Sequence, residues 1–105
     1  MAFNTGAPLL DALVLSVASL EDTYGYKITQ DVRGVMSVSE STLYPVLRRL
    51  QKEGCLETYD QAFAGRNRRY YHITTKGQQT LQTYRNEWLE YEQKIHSVLF
   101  KGVEA

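Results

Sequence analysis

Cysteine is almost missing from this chain: Cys55 is the single one, so no internal disulfide can form and packing alone must hold the fold. Histidine is nearly as scarce. His72 and His96 lie far apart with no second cysteine near either, so no metal-ligand pattern is present, and neither a metal nor a cofactor is expected. Net charge is also absent, with 12 Lys and Arg against 12 Asp and Glu, so the total supports no claim about nucleic acid or membranes. No long apolar run occurs, since the most apolar stretch, 9–20, is broken by Asp11 and Ser16. The first seven residues carry no basic, apolar leader, and a cytoplasmic protein without membrane contact is expected. No nucleophile stands beside a base and no glycine-rich phosphate loop is present. At 105 residues the chain has room for one core, which argues against an enzyme.

What the chain has is helical periodicity. From 8 to 20 the residues Leu9, Leu10, Leu13, Val14, Val17 and Leu20 recur at three-and-four spacing, with Pro8 suited to the first turn. Glu21, Asp22 and Thr23 offer turn and cap chemistry before a second helix with Tyr24, Ile28 and Val32 four apart, ended by Gly34. A third helix follows a short turn at 35–38. Ser39 as cap, flanked by Val38 and Leu43, is one start; Ser37 with Glu40 is the other. Its buried stripe is Leu43, Val46, Leu47 and Leu50, and Gly54 ends it. Pro45 lies just past the first turn, where it removes one backbone hydrogen bond.

Residues 56–59 and 69–73 read as the strands of a small β-hairpin, with 60–68 as a long flexible tip. Arg69, Tyr71 and Ile73 share one face of the second strand, Tyr70 and His72 the other. Thr74, or Thr75 with Gln78, then caps the longest helix. Along it Leu81, Tyr84, Trp88, Tyr91, Ile95 and Val98 repeat 3, 4, 3, 4 and 3 apart, a heptad seam that a second copy of the chain is expected to cover. The fold expected is mainly α with a small β-hairpin: a winged helix-turn-helix over residues 1–75, and a dimerisation helix over 76–105.

Charge placement carries the functional reading. Between residues 42 and 76 stand seven basic residues (Arg48, Arg49, Lys52, Arg66, Arg68, Arg69, Lys76) against the acidic Glu53, Glu57 and Asp60. The neutral total therefore hides a basic patch over the third helix and the hairpin tip. Ser39, Ser41, Thr42 and Tyr44 put hydroxyls at the start of that helix, where the helix dipole also favours phosphate. Arg66, Asn67, Arg68 and Arg69 on the wing, Arg48 on the third helix and Lys27 on the second complete the expected contacts to double-stranded DNA.

The run Ser41-Thr42-Leu43-Tyr44-Pro45-Val46-Leu47-Arg48-Arg49-Leu50, then Gly54, then Gly65-Arg66-Asn67-Arg68-Arg69-Tyr70-Tyr71-His72-Ile73-Thr74 and Lys76-Gly77, closely resembles the PadR family of bacterial transcriptional regulators; Tyr24-Gly25-Tyr26 matches as well. The resemblance covers about 9–99 and accounts for Pro45. It implies a homodimeric repressor of a pseudo-palindromic operator, with the third helix in the major groove, the wing on the flanking minor groove and the last helix holding the dimer. The single C-terminal helix looks like the smaller subfamily, some members of which sandwich flat aromatic effectors. On that pattern Trp88 and Tyr84 are the effector-binding candidates.

Plainer readings stand beside these. Tyr44 either contacts phosphate or packs in the core, and a tyrosine can do both. Arg49 pairs with Glu53 four residues on, worth about 0.3–0.5 kcal/mol. The wing arginines form a DNA contact or a solvated charge run, and Trp88 is interface packing or a ligand platform. The rival function is a winged-helix dimer that binds proteins or small molecules without operator recognition.

Overall fold

The computed structural model describes residues 7–103, so the reading of residues 1–6 as free of a leader lies outside it. The elements run α1 (Ala7–Leu20), β1 (Thr23–Tyr24), α2 (Gly25–Arg33), α3 (Glu40–Lys52), β2 (Leu56–Phe63), β3 (Arg66–Ile73) and α4 (Thr75–Leu99). The three strands form an antiparallel sheet in the order β1-β3-β2. No helix among the described residues is long and apolar enough to cross a membrane.

The apolar stripes read from the periodicity meet in one core. Val14, Leu15 and Ala18 of α1, Ile28 and Val32 of α2, and Leu43, Leu47 and Leu50 of α3 pack with Leu56, Tyr71 and Ile73 of the sheet. Each fully buried leucine there contributes about 1.5–3 kcal/mol. Ser39 is the cap of α3: its extended backbone precedes the helix, and its hydroxyl accepts from the Thr42 amide at 3.3 Å. The helix runs unbroken through Pro45. Its last residue is Lys52, and Gly54, whose N–H donates to the Gln51 carbonyl, then takes a φ of +83° that turns the Cys55 N–H onto the carbonyl of Leu50.

Three expectations change. First, Thr23 and Tyr24 belong to a strand, because they pair with Tyr71 and Tyr70 of β3; α2 starts only at Gly25. Second, the hairpin has no long flexible tip. β2 and β3 pair from Leu56↔Ile73 out to Phe63↔Arg66, and the turn is Ala64 and Gly65, both at positive φ, the backbone geometry that suits the twist of a two-residue hairpin. Third, Leu81 is buried in the core of its own chain and is not open to a second copy. The seam spacing is the same whichever surface covers it, and α1 covers its first part.

Thr74, not Thr75, caps α4, its hydroxyl accepting from the Gly77 amide at 3.0 Å. Gly77 lies against the turn after α3, where a Cβ would come within 2.1 Å of the Cys55 carbonyl oxygen. Only glycine fits this crossing. Beyond Tyr84 the 25-residue α4 leaves the core, which stretches the molecule to 59 × 25 × 22 Å.

Candidate nucleic-acid interface

The start of α3 presents a cluster of exposed hydroxyls. Ser39 Oγ lies 2.9 Å from Ser41 Oγ and 3.1 Å from Thr42 Oγ1, so the three are held together at the positive end of the helix. Arg48 is exposed further along. Tyr44 is half-buried, its ring against Gly25 at the start of α2, where any side chain would come within 3.1 Å of it.

Between α3, the start of α2 and the wing opens a cleft of about 700 Å³, lined by Tyr24, Tyr26, Tyr44, Arg68, Arg69 and Tyr71 with Gly25. It sets Arg68 and Arg69 of the wing beside Tyr44 of α3. Tyr71 is the witness: burial pushes its hydroxyl above the ordinary value, while the charges of Arg69 on the wing and Arg48 on α3 both oppose that shift. Both guanidinium groups therefore stand within electrostatic reach of one side chain. Arg69 also lies 3.9 Å from Asp60 across the hairpin, a weak and exposed pair. Arg66 and Asn67 are exposed at the outer end of β3.

Two expected contacts are placed differently. Arg68 is stacked on rings as it lines the cleft: its guanidinium carbon lies 3.9 Å from the Tyr24 ring centre and 3.7 Å from that of Phe63. The register explains this, since Arg68 falls on β3 between Arg66, opposite Phe63, and Tyr70, opposite Tyr24, all on one face of the sheet. Lys27 on α2 is exposed but paired with Asp31 at 2.9 Å, and that bond raises its pKa.

Some residues escaped the sequence reading. Tyr26, 55% exposed, lines the cleft and adds a phenol to it; its sole signal was its place beside Gly25 in the family-like motif. Asp22 ties the rim of the sheet, accepting from the Tyr59 hydroxyl at 2.8 Å and lying 2.8 Å from His72 Nδ1. The hydrogen bond to His72, then that to Tyr59, holds the Asp22 carboxyl below its usual value, and the same bond raises His72. Asp11, which read only as a break in an apolar run, is buried and paired with Arg49; the expected Arg49–Glu53 pair is also present at 3.4 Å.

On α4, Tyr84 does not join the outer seam, because its hydroxyl donates to Asp11 at 3.1 Å. Burial first, and the Asp11 charge second, push its pKa up to about 12. Further out, Trp88, Tyr91, Ile95, Leu99 and Phe100, with the polar Glu92 and His96, line a largely apolar groove of about 200 Å³, and Val98 nearby is 74% exposed. Among the described residues no group of three or more His, Cys, Asp or Glu could hold a metal.

The sequence profile of the transcriptional regulator PadR-like family matches residues 14–83, from α1 into the first turns of α4. The fold is similar to the crystal structure of smu.1704 from Streptococcus mutans UA159, with a TM-score of 0.88 at 38% identity, covering 100% of this chain and 99% of that one. Transcriptional regulator Rv3488 of Mycobacterium tuberculosis (strain ATCC 25618 / H37Rv) is 32% identical over 78% of each chain. Bacillus subtilis PadR, crystallised in complex with operator DNA, shares the fold with a TM-score of 0.65 at 23% identity, over 72% of this chain and 46% of that one.

Proposed function

Because this chain belongs to the PadR-like family of transcriptional regulators, we propose that it acts as a homodimeric repressor that binds a pseudo-palindromic operator in the cytoplasm and is released by a flat aromatic effector. In each protomer the described residues up to Thr74 form the DNA-binding unit, and α4, Thr75–Leu99, is the dimerisation helix. The observation that carries the reading is the meeting of Tyr44 of α3 and Tyr26 of α2 with Arg69 of the wing on one cleft. A basic, hydroxyl-lined cleft beside an exposed helix start suits a phosphate backbone whose adjacent groove receives that helix.

In this reading Ser39, Ser41 and Thr42 meet base edges or phosphates in the major groove, and Tyr26, Tyr44, Arg48 and Arg69 hold the backbone. Arg66 and Asn67 reach the flanking minor groove. Arg68 shapes the wing and does not itself meet phosphate, and Lys27, paired with Asp31, adds positive potential without a direct bond. The operator complex of the Bacillus subtilis relative supports duplex DNA as the partner. Trp88, Tyr91, Ile95 and Val98 form the dimer seam. Trp88 and the groove around it, without Tyr84, take the effector.

The test is a mobility shift with the DNA upstream of the chain's own gene at two salt concentrations. A saturable complex that weakens steeply with salt is expected. Arg66→Ala with Arg69→Ala lowers affinity on all sequences and flattens the salt slope by about one unit per lost phosphate contact. Equal binding by that double variant removes the wing from the interface, and absence of any saturable complex overturns the reading.

A further inference from the structure

Two helices with different tasks reach for the same carboxylate. From α4, the Tyr84 hydroxyl donates to Asp11 Oδ2 at 3.1 Å; from α3, the Arg49 guanidinium pairs with Asp11 Oδ1. Asp11 is only 4% exposed, so it has given up water and depends on these donors. α4 packs chiefly on α1, the helix that carries Asp11. The carboxylate is thus the polar joint between the helix that meets DNA and the helix that forms the arm.

A second tie lies nearer the start of α4. Lys76 Nζ donates to the Glu53 carbonyl at 2.6 Å, at the C-terminal end of α3, and the Thr74 hydroxyl donates to the Gly54 carbonyl. Tyr84 stands eight residues further along, about 12 Å at the rise of an α-helix. One tie fixes a position, and two ties fix a direction. From Tyr84 to Leu99 the arm runs on for about 22 Å, so a swing of about 5° at Tyr84 moves its far end by about 2 Å. In a two-fold dimer that error enters twice, once from each copy.

The chemistry also fits a geometric task better than a stabilising one. With Asp11 buried and the Arg49 side chain 40% exposed, the ion pair adds little net stability, yet it admits fewer arrangements than an apolar contact that can slide. We propose that Asp11, held by Arg49 and Tyr84, is a strut that sets the angle between α3 and the arm, and thereby the half-site spacing that the dimer accepts. The three act as positioning residues and touch no DNA. This inference rests on the dimeric regulator reading above.

The experiment uses duplexes selected from a random-sequence pool by the wild-type protein, with their two half-sites then moved one base pair closer or further apart. Wild type is expected to lose about tenfold or more in affinity on the respaced duplexes, because half-site spacing must match the dimer. Tyr84→Phe keeps the ring and removes the hydroxyl. It should narrow that preference to about threefold or less, with affinity for a single half-site and dimerisation by sedimentation both unchanged. Asp11→Asn, a second variant of unaltered size, should narrow it as well. A lower melting temperature with the wild-type spacing preference in both variants means a structural role only and overturns the strut. If wild type selects no duplex, the regulator reading itself fails, and the strut falls with it.

Discussion

The guanidinium of Arg68 stacks 3.9 Å from the ring centre of Tyr24, and this contact joins the wing to the strand that leads into α2. Phe63 covers the other side of the same guanidinium at 3.7 Å. An arginine so placed has its planar faces on aromatic rings, and in the reading proposed above it holds the ribbon against the body so that Arg69 stays at the cleft.

Arg68→Ala should therefore act on stability first. Each cation–π contact at an exposed site is worth about 0.5–1 kcal/mol, and a loss of 1 kcal/mol lowers the melting temperature of a domain this size by about 4–8 °C. DNA affinity falls, but its salt slope stays as in wild type. A slope flattened as in the Arg66→Ala, Arg69→Ala protein would place Arg68 directly on phosphate.

Gly77→Ala tests the crossing of α4 over the turn after α3. The added methyl would stand 2.1 Å from the Cys55 carbonyl oxygen and 2.7 Å from Ile73 Cγ1, and the first of these is backbone that cannot rotate away. A loss of about 3 kcal/mol or more is expected, read as a lower urea midpoint at unchanged slope. A midpoint within error of wild type would mean that α4 sits further from Cys55.

The Asp22–His72 pair predicts a shallow pH dependence. Asp22 is lowered from 3.8 and His72 raised from 6.5, each chiefly by their mutual hydrogen bond. The depressed carboxyl stabilises the fold above pH 3.8, and this is lost as pH falls through its folded value. The raised imidazole stabilises below pH 6.5, and this is lost as pH rises through its folded value. Both groups are exposed, so the contribution is at most about 1 kcal/mol. Glu57, facing His72 across the strands, adds to the upward shift. Urea midpoints at pH 5.5 and 8.5, chosen on either side of about 6.5, should differ in wild type and converge in His72→Gln.

Trp88→Ala addresses the arm. The indole is 36% exposed in the single chain and sits 6.1 Å from the Tyr91 ring centre. Its truncation should weaken the dimer by about 2–4 kcal/mol where the seam is covered, and operator binding should fall with it. Sedimentation equilibrium reads this directly, and an unchanged dimer would move the interface off this part of α4.

Local chemistry was legible wherever the signal was local. The Leu43-to-Leu50 stripe and the Gly54 stop lie within one or two helical turns of the groups they satisfy and are seen where their residues imply, whereas the sequence offered both Ser37 and Ser39 as the cap and the structure has Ser39. The wing was harder to read. Its outer half has water on both faces, so no apolar alternation marks Asp60 to Arg68 as strand, and the turn is built on Ala64 where Asn or Asp would have signalled it. β1 is two residues long and owes its extended form to pairing with β3, a partner more than forty residues away.

By itself, then, the order of residues determined the helices, their apolar faces and the concentration of positive charge between residues 42 and 76, because these depend on spacing along the chain. Only the folded arrangement decided what each surface meets. It gave the inner end of the α4 seam, Leu81, to the chain's own core, set Arg68 between two rings, and brought Asp11 under both Arg49 and Tyr84. The reason is physical: a helix repeats its face whatever lies opposite, whereas burial and pairing belong to two segments at once, and their meeting is a property of the packed whole.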